Sequence, residues 1–373
     1  MAVGNNEIII DSHLDLAANA ISFDRDLTEG LAALNKREKQ MDDHPARSGA
    51  TATFPEMRRG QIVLAFGTLL ARSNPNFRPA HGFKRVDIDH ATPAIAAAVS
   101  WGQLAYYEIM ADAGELSLIL DKKSLSTFWE RQVKGGNAAS GKANPIGIVL
   151  SMEGGDPITG PEKAELWWDA GLRIISVVHY GRSPYASGTG TTGPVTEPGK
   201  QLLKAFASLG MMLDVSHLCD QSFFQALELF PGPVLATHNN CRALVPGDRQ
   251  FSDEQIRLLI SRNAVIGVAA DGWMLYPKWV RGTTKTDVIS IDTMVDHIDH
   301  ICSLAGNSKH AAIGSDLDGG FGTEQTPGDL KSIADLQKIG RLLEKRGYAE
   351  TDIRAILHKN WYEFLSQNLP EEI

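Results

Sequence analysis

Eight short apolar segments recur along the chain, and longer stretches of helical character separate them. The segments are EIIIDSHLD from Glu7, QIVLAFGTLL from Gln61, IGIVLSMEG from Ile146, GLRIISVVHY from Gly171, MMLDVSH from Met211, PVLATHNN from Pro233, AVIGVAA from Ala264 and HAAIGSDLDG from His310. Most are continuously apolar and rich in Val and Ile, which is typical of parallel strands buried on both faces. Eight strands alternating with helices predict an α/β fold, a (β/α)8 TIM barrel.

The stretches between the segments support this fold. PEKAELWWDAG, PGKQLLKAFASLG and SDEQIRLLISRN each open with a helix start signal, and Ser252 followed by Gln255 has the spacing of a capping box. An open doubly wound sheet is the alternative, but no GxGxxG motif follows the first segment to support dinucleotide binding. With no linker and no internal repeat, we expect one barrel domain over residues 1–373.

Composition and charge exclude several classes of function. The chain is 43% hydrophobic, enough for a large core, and its net charge of -9 is spread without a block of like charge, so we expect no nucleic-acid partner. No apolar run approaches the roughly 20 residues that span a bilayer. MAVGNNEIII lacks the basic start of a signal peptide and QNLPEEI resembles no anchor tail, so we expect no membrane attachment. Three scattered cysteines (Cys219, Cys241 and Cys302) without a CxxC fit a reducing, cytoplasmic location.

Polar residues gather where the predicted strands end. Four of the 11 histidines and three carboxylates fall at six strand ends: His13 and Asp15 at the first, Glu153 at the third, His179 at the fourth, His217 at the fifth, His238 at the sixth and Asp316 at the eighth. A barrel enzyme carries its chemistry at this C-terminal mouth. Any one of these histidines could be structural, but the set is expensive to desolvate unless something binds it.

The residue types point to zinc. Imidazole nitrogen and carboxylate oxygen without thiolate suit a hydrolytic zinc site. His13 and Asp15 are two residues apart and share one strand face, so they can serve one ion. Glu153 offers two oxygens that can bridge to a second ion, and His217 and His238 can complete its shell. A single zinc needs only three protein ligands, so five ligands and a spare aspartate favour two ions about 4 Å apart.

Several other residues resemble ligands but are interpreted as structural. His297 and His300 have metal-binding spacing, but they lie within a predicted helix away from the mouth. Asp318, two residues after Asp316, is expected to orient its loop and is the reserve metal ligand. The cysteines that follow His217 and His238 are expected to be small core or loop residues. Trp167 and Trp168 are expected to pack a helix.

The motifs together resemble the membrane (renal) dipeptidase family of zinc peptidases, from about residue 7 to about residue 365. The motifs that carry the resemblance are His13-x-Asp15, Ser151-Met-Glu153-Gly-Gly, Asp214-Val-Ser-His217, Thr237-His238-Asn-Asn, Gly314-Ser-Asp316-Leu-Asp318-Gly319, RQFSDEQIRLL and VDHIDHICSLAG. The chain departs from the family's wording at Ser12 and Leu14, which are not ligand positions, and in the Gly/Thr-rich loop after His179.

The resemblance implies a role for each site residue. His13 and Asp15 bind one zinc, Glu153 bridges both ions, and His217 and His238 bind the other. His179 contacts the scissile carbonyl oxygen, Arg249 holds the substrate carboxylate and Asp316 manages the proton. The implied enzyme is a zinc-dependent metalloprotease that cleaves dipeptides, with a C-terminal D-residue included in some members, by a hydroxide held between the metals. A homodimer is left open.

Two other functions remain open from the sequence. One is a different binuclear amidohydrolase that acts on a cyclic amide, β-lactam, lactone or phosphotriester. Such enzymes usually carry His-x-His on the first strand and often a bridging lysine, where this chain has His-x-Asp and Glu153. The other is a catalytically dead scaffold, which the intact ligand set argues against.

Overall fold

The eight predicted segments each contain a β-strand. The computed structural model describes residues 7–74, 88–133 and 144–372. Its strands are β1 (Ile9–Leu14), β2 (Ile62–Leu69), β3 (Arg72–Ser73), β4 (Asp89–His90), β5 (Leu116–Leu118), β6 (Ile146–Met152), β7 (Ile174–Ile175), β8 (Met212–Asp214), β9 (Val234–Leu235), β10 (Ile266–Val268) and β11 (Ala311–Ile313).

Eight of these strands form a parallel ring. Their order is β10-β11-β1-β2-β6-β7-β8-β9. A parallel bridge between Ala236 and Ile266 joins the two ends, and the Gly267 N–H donates to the Ala236 carbonyl at 2.8 Å. The predicted (β/α)8 barrel is therefore confirmed, and the alternative of an open doubly wound sheet is wrong.

Three short strands were not predicted from the sequence. Strand β5 pairs with the first residues of β6, and β7 pairs with the last two residues of β6. Strands β3 and β4 form a separate two-stranded parallel sheet, in which Arg72 faces Asp89 and Ser73 faces His90. This small sheet lies directly after β2 and brings Arg72 to the mouth of the barrel.

Fourteen α-helices accompany the strands. They are α1 (Leu16–Ser22), α2 (Leu31–Arg37), α3 (Phe54–Arg59), α4 (Pro93–Asp112), α5 (Lys122–Val133), α6 (Ala164–Asp169), α7 (Glu197–Leu209), α8 (Asp220–Leu229), α9 (Asp253–Ser261), α10 (Gly272–Leu275), α11 (Ile291–Ala305), α12 (Lys338–Lys345), α13 (Glu350–Arg354) and α14 (Asn360–Asn368) within the described part of the chain. The three predicted helices correspond to α6, α7 and α9. Ser252 caps α9 through the predicted capping box with Gln255.

The alternation of side chains along the strands divides the core into two layers. Ile10, Val149, Ile174, Met212 and Leu235 belong to one apolar cluster with residues of α14. Their neighbours along the same strands belong to a second cluster with the surrounding helices. Because successive side chains of a strand point to opposite faces, the first cluster fills the barrel and the second joins the barrel to its helices.

Two long connections follow the first and fourth barrel strands. Residues 17–60 contain α2, α3 and most of α1, and the buried Arg25 binds Glu38 there with Nε–Oε1 at 2.8 Å. Residues 181–197 fold back through bridges from Tyr180 to Thr189 and from Gly188 to Leu218. A side chain at Gly188 would overlap the His179 carbonyl, so glycine allows this loop to lie close against the end of the fourth barrel strand.

The residues that we interpreted as structural are held within the protein. His297 Nδ1 accepts the Cys241 N–H at 3.0 Å, and His300 Nε2 lies 2.7 Å from Asp253 Oδ1. All three cysteines are buried and free. Trp167 stacks on Trp101 with ring centroids 4.3 Å apart, and the Arg173 guanidinium covers Trp168. These contacts confirm a packing role for the helix residues.

No helix in the described ranges is both long and apolar enough to cross a membrane. The first six residues, on which the expectation about a signal peptide depends, lie outside the described part.

Candidate active site

Four imidazoles converge on one carboxylate oxygen at the barrel mouth. Glu153 Oε1 lies 3.0 Å from His217 Nε2, 3.1 Å from His238 Nε2, and 3.6 Å from both His13 Nε2 and His179 Nε2. All five side chains are buried. The strand ends thus bring the predicted histidines together, and Glu153 is the group that they share.

The hydrogen bonds of Thr237 set the tautomer of two of these imidazoles. The Thr237 hydroxyl donates to Asp214 Oδ2 at 2.7 Å, so it accepts from the rings that contact its oxygen. Those rings are His238 and His13, whose Nδ1 atoms lie 2.8 Å and 3.2 Å from Thr237 Oγ1. In its neutral form, each ring therefore carries its proton on Nδ1 and presents an Nε2 lone pair towards Glu153.

Thr189 does the same for His217. Its hydroxyl donates to the His217 carbonyl at 3.3 Å and accepts from His217 Nδ1 at 3.1 Å. The Gly/Thr-rich connection after His179 supplies this threonine. His217 therefore also presents an Nε2 lone pair, which is the form that binds a metal.

These lone pairs face one another in a buried space and need a cation. His217 Nε2 and His238 Nε2 are 3.0 Å apart, and with the proton of each neutral ring on Nδ1 neither of these atoms can donate to the other. With Glu153 Oε1 they form a triangle with edges of 3.0–3.1 Å. Ligand atoms about 2.0–2.1 Å from a tetrahedral zinc stand roughly 3.3 Å apart, so this triangle fits one ion.

His13, Asp15 and Asp316 form a second, wider group beside the first. His13 Nε2 lies 3.9 Å from Asp15 Oδ1 and 3.8 Å from Asp316 Oδ1. His13 Nε2 and Asp15 Oδ1 are buried and have no hydrogen-bond partner among the described residues. Burial lowers the pKa of His13, but the charges of Glu153, Asp15 and Asp316 outweigh it and raise that pKa to about 10. This half of the site attracts positive charge.

His179 differs from the other three histidines. The Arg72 Nη1–H donates to His179 Nδ1 at 3.4 Å, and two hydrogen bonds of 2.7 and 2.9 Å to Asp89 hold the arginine in place. Since arginine can only donate, the proton of a neutral His179 lies on Nε2 and points to the centre of the site. Burial lowers the pKa of His179 to about 4, so it is a neutral hydrogen-bond donor there.

Burial also sets the charge of the remaining groups. It lowers the pKa of His217 and His238 well below the usual value, so both bind a cation at neutral pH without losing a proton. For Glu153, burial raises the pKa, but the neighbouring histidines outweigh it and hold the carboxyl well below its usual range. Burial and the charge of Glu153 raise the pKa of Asp316 well above normal, against the opposing effect of His13.

Asp318 is not available as a metal ligand. Its carboxylate accepts from the Thr51 N–H and hydroxyl at 2.9 and 2.7 Å and from the Ala52 N–H at 3.0 Å. The prediction of a reserve ligand is therefore wrong, because backbone donors from the first long connection occupy these oxygens. The alternative interpretation, that Asp318 orients a loop, is confirmed.

A cavity of about 310 Å³ opens above Glu153, and Arg249 lines it. The Arg249 guanidinium is buried and donates to the carbonyls of Ser216 at 3.0 Å and His238 at 2.8 Å and to the Asn239 side chain. No carboxylate lies within ion-pair distance of it in the described part of the chain. Arg249 is therefore not a surface residue that pairs with a neighbouring carboxylate, since Asp248 accepts from the Gly190 N–H and Asp253 pairs with His300.

Four of the residues that organise the site had no assigned role in the sequence interpretation. Asp214 and Thr237 stand within quoted motifs, beside ligand positions, and that adjacency was the available signal. Arg72 lies in a short sheet that no periodicity predicts. Thr189 belongs to a loop whose length alone indicated a contribution to the site.

Comparisons with known proteins place the chain in a peptidase family. The family model for membrane dipeptidase, peptidase family M19, matches residues 1–369. An uncharacterised Klebsiella pneumoniae protein from the pqqA 5' region is 28% identical over 278 residues, which are 72% of this chain and 95% of that protein.

Two solved metallopeptidases share the fold. The metallopeptidase called dipeptidase AC superposes with a TM-score of 0.76 at 20% identity, over 98% of this chain and 99% of its own. A Rhodobacter sphaeroides metallopeptidase, solved with a phosphinate mimic of L-Ala-D-Ala, gives the same TM-score and identity over 98% of this chain and 100% of its own.

Thr237→Val should weaken metal binding. Valine keeps the shape of threonine but accepts neither Nδ1–H, so His13 and His238 lose the contact that fixes their tautomer. We expect metal affinity to fall roughly 10- to 100-fold, measured by competition with a chelator. Thr326→Val is the matched control, since Thr326 is equally buried but donates to the Leu330 carbonyl away from the cavity. Unchanged affinity in Thr237→Val would show that the threonine does not support the ligands.

Proposed function

This chain belongs to the membrane dipeptidase family, peptidase family M19, and we propose that it is a binuclear zinc dipeptidase. One arrangement supports the proposal above all others. A nitrogen- and oxygen-donor set surrounds Glu153 Oε1, and a buried, uncompensated arginine lines the cavity above it. The first feature suits metal-assisted hydrolysis, and the second suits a substrate with a free carboxylate.

The ligand set divides into two groups that share Glu153. His13 and Asp15 would hold one zinc, His217 and His238 the other, and Glu153 both. The tautomers of His13, His217 and His238 support this division, because each presents an Nε2 lone pair. The two ions would polarise the scissile carbonyl and lower the pKa of water.

Besides the metal ligands, His179, Asp316 and Arg249 act on the substrate. His179 donates its Nε2–H to the carbonyl oxygen as that oxygen gains negative charge. Asp316 accepts the proton of the attacking water and passes it to the leaving amine. Its backbone has a φ of 58°, a left-handed conformation that is unfavourable for aspartate and common at functional sites.

Arg249 would bind the C-terminal carboxylate of the substrate. Three neutral acceptors fix its guanidinium and leave N–H groups for an anion. A cavity of about 310 Å³ is at the lower end of the range for small-molecule sites. A short substrate with a free carboxylate fits both properties, which is why we favour dipeptides.

The same observation weighs against the rival amidohydrolase. A cyclic amide or lactone without a carboxylate would leave Arg249 buried and unpaired, which is costly. The Rhodobacter sphaeroides structure contains a mimic of L-Ala-D-Ala. We therefore include dipeptides with a C-terminal D-residue among the proposed substrates of this chain.

Zinc-loaded protein should contain two equivalents of zinc per chain, because the ligands form two groups around Glu153. Elemental analysis after removal of loosely bound metal measures this number. His300→Ala should keep both equivalents, since His300 pairs with Asp253 outside the site. One tight equivalent and no second site would contradict the binuclear centre.

Asp316→Asn should abolish turnover while keeping the metal. Asparagine has a similar size but cannot accept the proton, so kcat should fall by at least the roughly 10²–10⁴-fold of general acid–base catalysis. Turnover of an L-L and L-D dipeptide panel is measured together with metal content. Near-normal kcat in the metal-replete variant would remove Asp316 from the mechanism.

Arg249→Ala should lose the preference for a free C-terminal carboxylate. A charge-assisted hydrogen bond contributes about 1.5–3 kcal/mol, which corresponds to roughly ten- to a hundredfold in kcat/KM. Arg249→Lys should also be impaired, because lysine lacks the planar pair of donors. The measurement compares dipeptides with their C-terminal amides in wild type and variants.

Arg242→Ala is the control for Arg249, because Arg242 belongs to the same connection but pairs with Asp220 at the surface. It should retain the full preference for the acid. Equal hydrolysis of acid and amide by the wild type would refute the carboxylate clamp and weaken the dipeptidase assignment.

A further inference from the structure

A second buried charge lines the cavity and has no part in the proposed mechanism. Asp271 follows β10, is 6% exposed and faces the same cavity as Arg249. Its Oδ1 accepts from Gln325 Nε2 at 2.7 Å and from the Trp273 N–H at 3.4 Å, which caps α10. These partners are neutral, and no cation lies within ion-pair distance of Asp271 in the described ranges.

Gln325 adds a second acceptor beside Asp271. It is 4% exposed and lines the cavity, and its Nε2 is used by Asp271. Its Oε1 is buried without a hydrogen-bond partner in the described part of the chain. The Gly272 N–H donates to the Gln325 carbonyl at 2.7 Å and fixes the two loops together. A carboxylate that has only neutral donors and an amide oxygen that has none therefore belong to neighbouring residues of the cavity wall.

A buried carboxylate without an ion-pair partner and a buried amide oxygen without a donor are complementary to a cationic donor. Burial raises the pKa of Asp271 to about 7, against the opposing hydrogen bonds, so the carboxylate gains stability from any cation that enters the cavity. The positive charge of Arg281 lowers the pKa of Asp271, but the two side chains form no ion pair in the described ranges. The Arg281 side chain is exposed and donates to the Gly320 carbonyl at 2.8 Å.

The order of the barrel strands indicates which part of a dipeptide lies near Asp271. Arg249 follows the sixth barrel strand, Asp271 the seventh and Asp316 the eighth. In the proposed function, Arg249 holds the C-terminal carboxylate and Asp316 delivers a proton to the leaving amine. Both groups belong to the C-terminal residue of the substrate. Asp271, between them on the ring, therefore faces that residue.

We propose that Asp271 and Gln325 form a subsite for a cationic side chain, an ammonium or a guanidinium, on the C-terminal residue of the dipeptide. This inference rests on the proposed function and refines its substrate class. The ammonium or guanidinium donates to the Asp271 carboxylate and to Gln325 Oε1. The preferred substrates carry lysine, ornithine or arginine in the second position.

The experiment uses two substrate pairs in which one member has a cationic side chain and the other a neutral side chain of similar length. L-Ala-L-Lys is compared with L-Ala-L-norleucine, and L-Ala-L-Arg with L-Ala-L-citrulline, with zinc-loaded full-length protein. The basic member of each pair should have a kcat/KM roughly ten- to a hundredfold higher, the effect of one charge-assisted contact. Asp271→Asn should remove most of this ratio, since asparagine keeps an oxygen for Gln325 and Trp273 but lacks the charge. Asp248→Asn, an exposed rim carboxylate that accepts the Gly190 N–H, should retain it.

Calorimetric binding of the same peptides separates this inference from the proposed function. In the Asp316→Asn background, the peptides are not consumed, and Asp271→Asn should again remove the preference for the basic peptide. Gln325→Met, which removes only the amide acceptor, should reduce the preference by a smaller factor.

Equal binding and turnover of the charged and neutral peptides by the wild type would overturn the subsite and leave the dipeptidase proposal intact. A preference for L-Lys-L-Ala over L-Ala-L-Lys would place the cation on the other residue and overturn the assigned position. If Asp271→Asn instead abolished sensitivity to removal of the N-terminal amino group, Asp271 would bind the substrate's terminal ammonium. Absence of all dipeptide hydrolysis would refute the proposed function, and the calorimetric ratio would still decide the subsite.

Discussion

The site is organised by the electrostatic cost of placing several acceptors around one buried carboxylate oxygen. Three imidazole lone pairs approach Glu153 Oε1 at 3.0–3.6 Å where no water can separate them. Such an arrangement is stable only when a cation occupies it. The surrounding structure keeps these groups close together. Strand ends fix the backbone positions, and Asp214 and Thr237 fix the rings. Metal binding therefore stabilises a geometry that the fold already holds.

The direction of single hydrogen bonds gives chemically identical side chains different functions. Threonine hydroxyls accept from Nδ1 of His13, His217 and His238 and leave lone pairs on Nε2. A guanidinium donates to Nδ1 of His179 and places the proton on Nε2. In the proposed function, three rings thus serve as metal ligands, and the fourth donates to a developing oxyanion. Distance to Glu153 alone does not separate them, since His13 and His179 are equally far from it.

The cavity wall contains two buried charges that form no ion pair with any residue in the described part of the chain. Arg249 is a cation held by neutral acceptors, and Asp271 is a carboxylate held by neutral donors. A fold pays for such groups in stability when they serve a ligand. Their separate positions on the ring suit a substrate that carries both signs of charge. In the two proposals, the metal centre carries out the hydrolysis, and Arg249 and Asp271 determine which small molecule binds beside it.

The sequence by itself determined the barrel and the residue types at its mouth. Apolar segments of strand length and helix start signals such as Ser252 and Gln255 are local, so they can be identified without knowing what the chain packs against. Tertiary structure decided the rest, because the deciding partners are far apart in sequence. Asp318 is unavailable to a metal because its carboxylate accepts from Thr51, 267 residues away. His179 becomes a donor through Arg72, 107 residues away, on a sheet too short for any periodicity. The residue type determines which partners a side chain can bind, whereas the packing of the chain determines which of those partners lies beside it.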